Sequence, residues 1–418
     1  MRFYRFTYRS GRQMVLLNSS YVDTLFYCLA TAQIVVGVFL VWRGLQWQAY
    51  ARRRLRGDPG FYTPRAAVLC PCKGLEAGLE RNLAALTEFE YKNYEIFFVL
   101  ASASDSAYSA VKRIAEHSRV PAHVVIADRP EACGEKVNNL RVAIEQLPED
   151  FEVLVFVDSD GHPGRAWLRR LISPLHDSRV GAATTMRWLI PLRNNLASAL
   201  LAAWNASIVT LLSENGRNFC WGGGTAIKRS VFEQIGVPEE WSHSVSDDFS
   251  MTRALQRTNR TILFVPECLT PSYVDADVGS LLEFTNRQIL ITKVYSHKMW
   301  ASAAVTHVLY CATLLLGVYV TLVNWLATLP AFHLAFLTFV PMLLAAIRGA
   351  LRVAAATEVL PAERRTIMGQ AWMYILLGIL VPYLFLLNFV VSLFTRKIRW
   401  RGVTYELISP QQTRILVY

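Results

Sequence analysis

Two pairs of aspartates are spaced so that both members of a pair could act on one ligand. In the first pair, Asp158 and Asp160 follow the apolar run 153–157 with one serine between them. Two carboxylates at this spacing can approach one hard cation across a tight turn, and Mg2+ and Mn2+ favour such oxygen ligands and often bridge phosphates. A plain turn or a helix N-cap is the alternative, because Asp and Ser favour both. The short motif alone favours the turn or cap, and the position directly behind a buried strand strengthens the case for a metal site.

The second pair, Asp247 and Asp248, precedes a predicted helix over 249–257. A carboxylate fixed at this point could act as a general base and take a proton from a hydroxyl group. The alternative is capping of the helix, whose dipole stabilises negative charge at its start. The local sequence alone favours capping.

A glycine loop and two cations could serve a phosphorylated ligand. Three glycines at 222–224 permit close approach of the backbone to a ligand, with a plain tight turn as the alternative. Arg287 and Lys293 lie on a predicted helix over 281–295, where they could neutralise a diphosphate leaving group. Contact with lipid headgroups is the alternative for these cations. The apolar segment 195–212 predicts an interfacial or buried helix that could deliver a lipid acceptor.

The elements that must position these residues alternate between strand and helix. The predicted strands are 66–70, 94–101, 123–127, 153–157 and 225–228, and the predicted helices include 76–88, 106–118 and 135–146. This alternation indicates an α/β domain with a parallel sheet between helices. Ligands of such sheets bind beyond the carboxyl ends of the strands, where Asp105 and the first aspartate pair lie. The sequence contains no GxGxxG or Walker motif, so it does not predict a loop that binds the phosphates of a dinucleotide or ATP.

The apolar residues are concentrated in a few segments. Charged residues make up 18% of the 418 residues, whereas soluble domains carry about 25%. Three runs lack Asp, Glu, Lys and Arg, namely 24–42, 301–347 and 366–395. About 20 apolar residues span a bilayer as a helix, so the second run is long enough for two spans. The arginines at 52–54 favour an uncleaved anchor over a signal peptide for the first run.

This distribution divides the chain into seven segments. They are an N-terminal tail (1–23), a transmembrane helix (24–42), an α/β domain (46–300), two transmembrane helices (303–347), a basic connecting segment (348–365), a transmembrane or re-entrant helix (366–395) and a C-terminal tail (396–418). If the α/β domain lies on the cytoplasmic side, three later spans would place the basic C-terminal tail on the opposite side of the membrane. Either one apolar run is re-entrant, or the rule that basic residues lie on the cytoplasmic side fails here.

The net charge of +11 comes largely from basic residues at the borders of the apolar runs. Such residues indicate cytoplasmic faces and anionic headgroups, so we expect a multi-pass membrane protein with its α/β domain facing the cytoplasm. No aromatic stripe or nucleic-acid motif accompanies the charge, and we do not expect nucleic acid as a partner. The seven cysteines show no framework spacing, which indicates free thiols in a reducing compartment.

Taken in order, these segments resemble an inverting glycosyltransferase of family 2 type with the Rossmann-like GT-A fold. More narrowly, they resemble the ceramide glucosyltransferase group, glycosyltransferase family 21. The resemblance is carried by the segments 94–99 leading to Asp105, 136–140 (KVNNL), 155–160 (VFVDSD), 222–224 (GGG), 246–249 (SDDF), 287–288 (RQ) and 398–405 (IRWRGVTY).

The resemblance implies a role for each matching residue of the donor site. Asp105 would hold the nucleobase or ribose of a UDP-sugar. Lys136 and Asn139 would help to bind the nucleotide. Asp158 would contact the ribose, and Asp158 and Asp160 would hold the diphosphate-bound Mg2+ or Mn2+.

The same resemblance implies a reaction. Asp248 would be the general base, with Asp247 as its neighbour and the second choice. The chain would move one sugar from a nucleotide sugar, such as UDP-glucose or another UDP-hexose, to a hydroxyl of a membrane lipid in the bilayer. The acceptor would be ceramide or another lipid. A processive polysaccharide synthase and a non-enzymatic membrane scaffold with a degenerate transferase domain are the alternatives.

One departure from the family pattern concerns the acceptor. The family commonly carries (Gln/Arg)-x-x-Arg-Trp before its membrane helices. This chain keeps Arg287 but has Leu290 and Ile291 at the positions of Arg and Trp. Lys293 could supply the missing charge from a neighbouring position. The departure speaks against processive synthesis.

Overall fold

The computed structural model describes residues 4–76, 78–214 and 218–418, with side chains from Tyr21 onward. The helices are α1 (Tyr4–Arg56), α2 (Leu79–Leu86), α3 (Tyr108–Glu116), α4 (Glu135–Glu145), α5 (Trp167–Ile172), α6 (Leu196–Val209), α7 (Arg229–Gln234), α8 (Val237–Trp241), α9 (Asp247–Arg257), α10 (Val278–Tyr295), α11 (His297–Leu326), α12 (Phe332–Val359), α13 (Arg364–Gly369), α14 (Ala371–Leu376) and α15 (Val381–Phe394). The strands are β1 (Ala66–Pro71), β2 (Tyr94–Leu100), β3 (Ala122–Ile126), β4 (Val153–Val157), β5 (Val180–Thr184), β6 (Arg187–Pro191), β7 (Gly224–Lys228), β8 (Thr261–Phe264), β9 (Thr270–Val274), β10 (Lys397–Trp400), β11 (Val403–Ser409) and β12 (Gln412–Val417).

A seven-stranded sheet with the order β3-β2-β1-β4-β7-β5-β8 forms the centre of the domain. The predicted α/β fold is confirmed, and β1 to β4 are parallel. The parallel arrangement expected for these four strands is therefore present, whereas β7 runs antiparallel to both of its neighbours. Gly224 pairs with Val157, so β7 starts where β4 ends and must run back across the sheet. This reversal places the glycine loop beside the residues that follow β4.

Burial on both faces of β4 explains its unbroken apolar sequence. Val153, Val155 and Val157 pack into the core on one face of the sheet. Leu154 and Phe156 pack into the core on the opposite face, against α4 and α8. Strands covered on both faces carry apolar residues at every position, which is why this run could be recognised in the sequence.

The segment 396–418 forms an antiparallel sheet of β10, β11 and β12. We predicted this segment only as a tail, without strands. Val403, Tyr405 and Leu407 alternate along β11 and pack with Leu290 and Ile291 of α10. The buried alternation fixes this small sheet against the α/β domain.

Three described helices are long and apolar enough to cross a membrane, namely α1 from Tyr21, α11 and α12. The helix that includes the predicted span 24–42 continues to Arg56, and α12 continues to Val359, into the predicted connecting segment. The predicted span 366–395 is bent by 59° between residues 371–379 and 381–394. The bend precedes Pro382, whose missing N–H cannot continue the helical hydrogen bonds.

The helices α1 and α12 run in the same direction toward the α/β domain. A Cβ atom at Gly37 would lie 2.7 Å from the Leu344 side chain, and one at Gly44 would lie 3.3 Å from that of Leu351. At the domain end, Arg52 forms an ion pair of 2.6 Å with Glu358.

Candidate active site

A cleft of about 520 Å³ lies beyond the carboxyl ends of β1 and β4. Its walls come from the loop after β1, the starts of α4 and α9, the glycine loop, α10 and the hairpin between β10 and β11. The expected site residues that line it are Lys136, Asn139, Asp158, Asp160, Asp247, Asp248 and Arg287. Asp105 and Lys293 are not among its lining residues.

Lys136 links the two aspartate pairs. Its Nζ atom lies 2.8 Å from Oδ1 of Asp158 and 3.2 Å from Oδ2 of Asp247. Burial opposes the charged ammonium, but the two carboxylates outweigh burial and raise the pKa of Lys136. Burial also opposes the charge on Asp158, yet the nearby ammonium lowers the pKa of this carboxyl. The pair is therefore charged at neutral pH.

Asp247 responds differently to the same lysine. Burial raises the pKa of Asp247 to about 6. Lys136 lowers this pKa, but the neighbouring negative charge of Asp248 raises it, so the lysine offsets the effect of burial only in part. The longer contact with Lys136 agrees with this weaker compensation.

Asp160 has one paired and one unpaired carboxylate oxygen. Oδ2 accepts a hydrogen bond from Arg187 of β6. Burial disfavours the guanidinium charge, but Asp160 outweighs it and the pKa of Arg187 is raised. Oδ1 of Asp160 is buried and has no hydrogen-bond partner in the described part of the chain. A buried oxygen of this kind is a free ligand position.

The donor set fits a divalent cation that shares its ligands with a substrate. Within residues 4–76, 78–214 and 218–418, no group of three or more His, Cys, Asp and Glu side chains could hold a metal ion. Mg2+ is commonly bound by only one or two carboxylates together with substrate phosphates and water. Asp158 and Asp160 with the free Oδ1 atom match this partial set of ligands.

The start of α9 separates the two candidate bases. The N-cap is Ser246, whose Oγ accepts from the Phe249 amide at 3.2 Å, rather than either aspartate. Asp247 is buried against Lys136. Asp248 is half-buried, accepts from the Phe249 amide at 2.7 Å and from the Gly222 amide at 3.3 Å, and lines the cleft.

The glycine loop comes close to the carboxylates. A Cβ atom at Gly223 would lie 2.4 Å from Oδ2 of Asp158, and one at Gly222 would lie 2.6 Å from Oδ2 of Asp247. These distances are shorter than atomic contacts allow, so glycine at both positions lets the loop and the aspartates occupy the same small space. The loop therefore positions protein side chains as well as bordering the cleft.

The hairpin between β10 and β11 adds Trp400 and Arg401 to the cleft. Arg401 and Gly402 have φ values of 48° and 86°, which a two-residue type I′ turn requires. Arg401 donates to the Lys73 carbonyl at 2.7 Å and also pairs with Glu76. Burial and Asp160 raise the pKa of Glu76, although Arg401 opposes this effect.

Arg287 faces the same wall of the cleft. Its guanidinium lies 5.3 Å from the centre of the Trp400 ring and 5.3 Å from that of Phe284. Burial and the neighbouring Arg187 lower the pKa of Arg287 to about 10. Its Nε atom is buried without a hydrogen-bond partner among the described residues. An unpaired guanidinium N–H of this kind could donate a hydrogen bond to an anionic ligand.

Sequence reasoning missed several residues of this cleft. They are Glu76, Arg187, Trp400 and Arg401. Arg187 lies on a short strand outside the main sheet, so no predicted element pointed to it. For Trp400 and Arg401 a signal was present, because both belong to the 398–405 segment that carries part of the family resemblance.

Asp105 and Lys293 make contacts elsewhere. Asp105 Oδ1 accepts from the amides of Gly74 and Ala107, each at 2.8 Å, and so fixes the loop after β1. Lys293 donates to the Ser392 carbonyl at 2.5 Å. The charge of Lys293 therefore does not enter the cleft, and Ile291 lines it instead. Their assignment to the nucleotide sugar stays a prediction.

The helix α6 lies beside the cleft rather than in it. The sequence predicted either an interfacial or a buried helix for this segment, and the contacts of α6 agree with a buried helix. Trp204 is fully buried and stacks on Phe385 of α15 at 4.7 Å between ring centres.

Solved structures similar to this chain include several sugar transferases. A mannosyltransferase from Pyrobaculum calidifontis in complex with GDP-Man and Mn2+ is 19% identical in sequence to this chain, with a TM-score of 0.47. The match covers 88% of this chain and 99% of the mannosyltransferase chain. Glucosyl-3-phosphoglycerate synthase from Mycobacterium tuberculosis in complex with phosphoglyceric acid is 15% identical in sequence to this chain, with a TM-score of 0.36. The match covers 55% of this chain and 79% of the synthase chain.

The family model for glycosyl transferase family 21 matches residues 25–413. This match covers the α/β domain, the apolar helices and most of the C-terminal sheet. It confirms the family resemblance and, with the mixed α/β sheet, the predicted GT-A type of domain. The chain is therefore a glycosyltransferase and belongs to glycosyltransferase family 21.

Proposed function

We propose that this chain transfers one sugar from a UDP-hexose to a hydroxyl of a membrane lipid, with inversion at the anomeric carbon. The observation that carries the proposal is the cleft itself. It combines a half-buried carboxylate on Asp248, the aspartates that follow β4 and several cations, and it lies against helices that continue into the apolar segments.

The donor would bind with its diphosphate toward Asp158 and Asp160. Mg2+ or Mn2+ held by these two residues would neutralise the negative charge that develops on the leaving UDP. Arg287 and Arg401 face the same space and would add donors for phosphate oxygens. The ribose and base would extend toward Asn139 and the loop that Asp105 supports.

Asp248 would act as the general base. Both aspartates line the cleft, but Asp248 is half-buried, whereas Asp247 is buried and held by Lys136. Amide groups of Phe249 and Gly222 orient the Asp248 carboxylate, and its place in the first turn of α9 favours negative charge. Asp248 would take the proton of the lipid hydroxyl while the oxygen attacks the anomeric carbon from the face opposite the diphosphate.

The acceptor would approach from the side of α10. Ser280, Glu283 and Phe284 of this helix line the cleft, and α10 is followed directly by the apolar α11. A lipid could therefore keep its acyl body in the bilayer while its hydroxyl reaches Asp248. Ceramide is the acceptor that the family resemblance suggests, and UDP-glucose is the corresponding donor.

We further propose that three helices cross the membrane, that the bent pair α14–α15 is re-entrant, and that the α/β domain faces the cytoplasm. Support comes from the C-terminal sheet, since the Tyr405 hydroxyl accepts from the Glu135 amide of α4 at 3.2 Å. The tail and the domain thus share one side. The chain leaves that side in α11 and returns in α12, so α14–α15 must begin and end there.

The test is transfer in membranes that contain the full chain. Labelled UDP-glucose, UDP-galactose and UDP-N-acetylglucosamine would be supplied separately, and the extracted lipids analysed by mass spectrometry. We expect one glycolipid bearing a single hexose, and a loss of about 100-fold or more in the Asp248→Asn variant. Asp177→Asn, which changes a carboxylate outside the cleft, should keep full activity. Normal transfer by Asp248→Asn would contradict the proposal.

A further inference from the structure

Two arginines of α12 lie between helices, and neither has an acidic partner among the residues that the structure describes. Arg348 and Arg352 are one helical turn apart, so they lie on the same side of the helix. Both are half-buried, and the Nε atom of each is buried with no hydrogen-bond partner among the described residues. Neither forms an ion pair in the described part of the chain.

The side of α12 that carries these arginines faces protein. Ala345, which precedes Arg348 by one turn, packs with Tyr310 of α11. A Cβ atom at Gly349 would lie only 2.5 Å from the Tyr374 carbonyl oxygen, so α12 and α14 are in close contact here. The two guanidinium groups therefore lie near the junction of α11, α12 and α14.

No carboxylate of these helices is available to neutralise the pair. The sequences of α11, α14 and α15 contain no Asp or Glu. Glu358 is the only acidic residue of α12, and it is engaged by Arg52 at 2.6 Å and by Gln48 at 3.1 Å. Two like charges in this position are unfavourable unless an anion compensates them.

The depth of the pair identifies the class of anion. In the parallel contact of α1 with α12, Gly37 lies beside Leu344 and Gly44 beside Leu351. Arg348 is thus level with the end of the charge-free run 24–42, and Arg352 lies one turn nearer to the α/β domain. This level is the border of the apolar segment, where lipid phosphates lie. Basic pockets between helices on that side of a membrane bind anionic headgroups.

We propose that Arg348 and Arg352 bind the phosphate group of an anionic phospholipid at the junction of α11, α12 and α14. The planar guanidinium groups match phosphate oxygens in pairs of hydrogen bonds. This site is separate from the sugar-transfer cleft. The inference depends on membrane insertion of α11 and α12, and it does not depend on the reaction proposed above.

Native mass spectrometry of the full-length protein in neutral detergent would test the site. The titrants would be phosphatidylglycerol and phosphatidylcholine with the same acyl chains. We expect at least one phosphatidylglycerol to bind about tenfold more tightly than phosphatidylcholine, and a simultaneous Arg348→Gln and Arg352→Gln change to abolish this preference. The control is a double Arg364→Gln and Arg365→Gln variant, which changes two exposed arginines and should keep the preference.

Three outcomes would overturn the proposal. Equal affinity of the wild-type protein for both lipids would do so without any variant, so the test does not depend on the folding of the glutamine forms. Equal loss of preference in both double variants would assign the effect to overall surface charge. Full displacement of the lipid by an equal concentration of inorganic phosphate would assign the site to free phosphate.

Discussion

The Nζ atom of Lys136 on α4 lies 2.8 Å from the Oδ1 atom of Asp158 at the end of β4. The lysine also contacts Asp247, so its removal would leave the buried Asp247 and the half-buried Asp158 without this cation. We expect Lys136→Met to destabilise the protein by about 3–5 kcal/mol, the usual cost of breaking a buried pair. Lys112→Met, which removes an exposed lysine, should change stability by less than about 1 kcal/mol. Thermal unfolding in detergent would measure both, and equal midpoints would contradict the linking role of Lys136.

The unpaired Oδ1 atom of Asp160 predicts a metal-dependent effect. Asp160→Asn keeps the size of the side chain but removes the negative charge that a divalent cation needs. We expect UDP to bind about tenfold more weakly to this variant when Mn2+ is present. With a chelator instead of Mn2+, the two proteins should bind UDP equally weakly. Calorimetry would measure the affinities, and a metal-independent affinity in the wild-type protein would count against a cation at Asp158 and Asp160.

The contact between Gly223 and Asp158 predicts a strict requirement for glycine. A methyl group at Gly223 would overlap the Asp158 carboxylate, so either the loop or the aspartate must move. We expect Gly223→Ala to reduce transfer by about 100-fold, since displacements of about 1 Å can cost that much. Gly164→Ala is the matched control, because a Cβ atom there meets nothing within 4 Å. Retention of activity by Gly223→Ala would contradict this requirement, because it would show that the loop can move to accommodate the methyl group.

Arg401 predicts a split between donor binding and turnover. If its guanidinium contacts the diphosphate in the ground state as well as during reaction, Arg401→Ala should raise KM for the donor about tenfold with a smaller change in kcat. Arg414→Ala removes an exposed arginine of the same small sheet and should leave both parameters unchanged. Transfer rates over a range of donor concentrations would separate the parameters. An unchanged KM would remove Arg401 from the donor site.

The raised pKa of Asp247 predicts how stability depends on pH. The pKa of this carboxyl is about 6 in the folded protein and near 3.8 in the unfolded chain. Between these values the folded state binds more protons, so stability falls as pH rises from about 4 to about 6. Asp247→Asn cannot lose a proton, and its unfolding midpoint should rise relative to wild type over this range. A midpoint difference that is constant from pH 4 to pH 7 would contradict the shift.

The sequence contained enough information for five of the seven strands of the main sheet and for the two aspartate pairs, whereas β5 and β8 were not predicted. Covered strands such as β4 have no polar position, and this makes them visible without any knowledge of their partners. The antiparallel direction of β7 was not visible, because it follows from where the chain enters the sheet after β5 and α6. Strand direction is set by tertiary connections, and local residue patterns do not encode it.

Residues that reach the cleft from distant parts of the chain were also beyond prediction. Arg187 becomes part of the site only through its pairing with Asp160. Lys293 has the right charge and nearly the right position, but the helix turns its ammonium toward Ser392. A shift of a few residues along a helix changes the direction of a side chain, so spacing alone could not decide which cation enters the cleft.

The wall that Trp400 and Arg401 supply has a consequence for the order of synthesis. A ribosome completes α1, α11 and α12 before it reaches the hairpin between β10 and β11. If α1, α11 and α12 cross the membrane as proposed, they can insert while the cleft still lacks one side. A polypeptide that stops short of residue 400 would carry the full set of aspartates and yet expose Glu76 and Arg287 to water. Translation of the hairpin between β10 and β11 is then the step that completes the wall of the cleft.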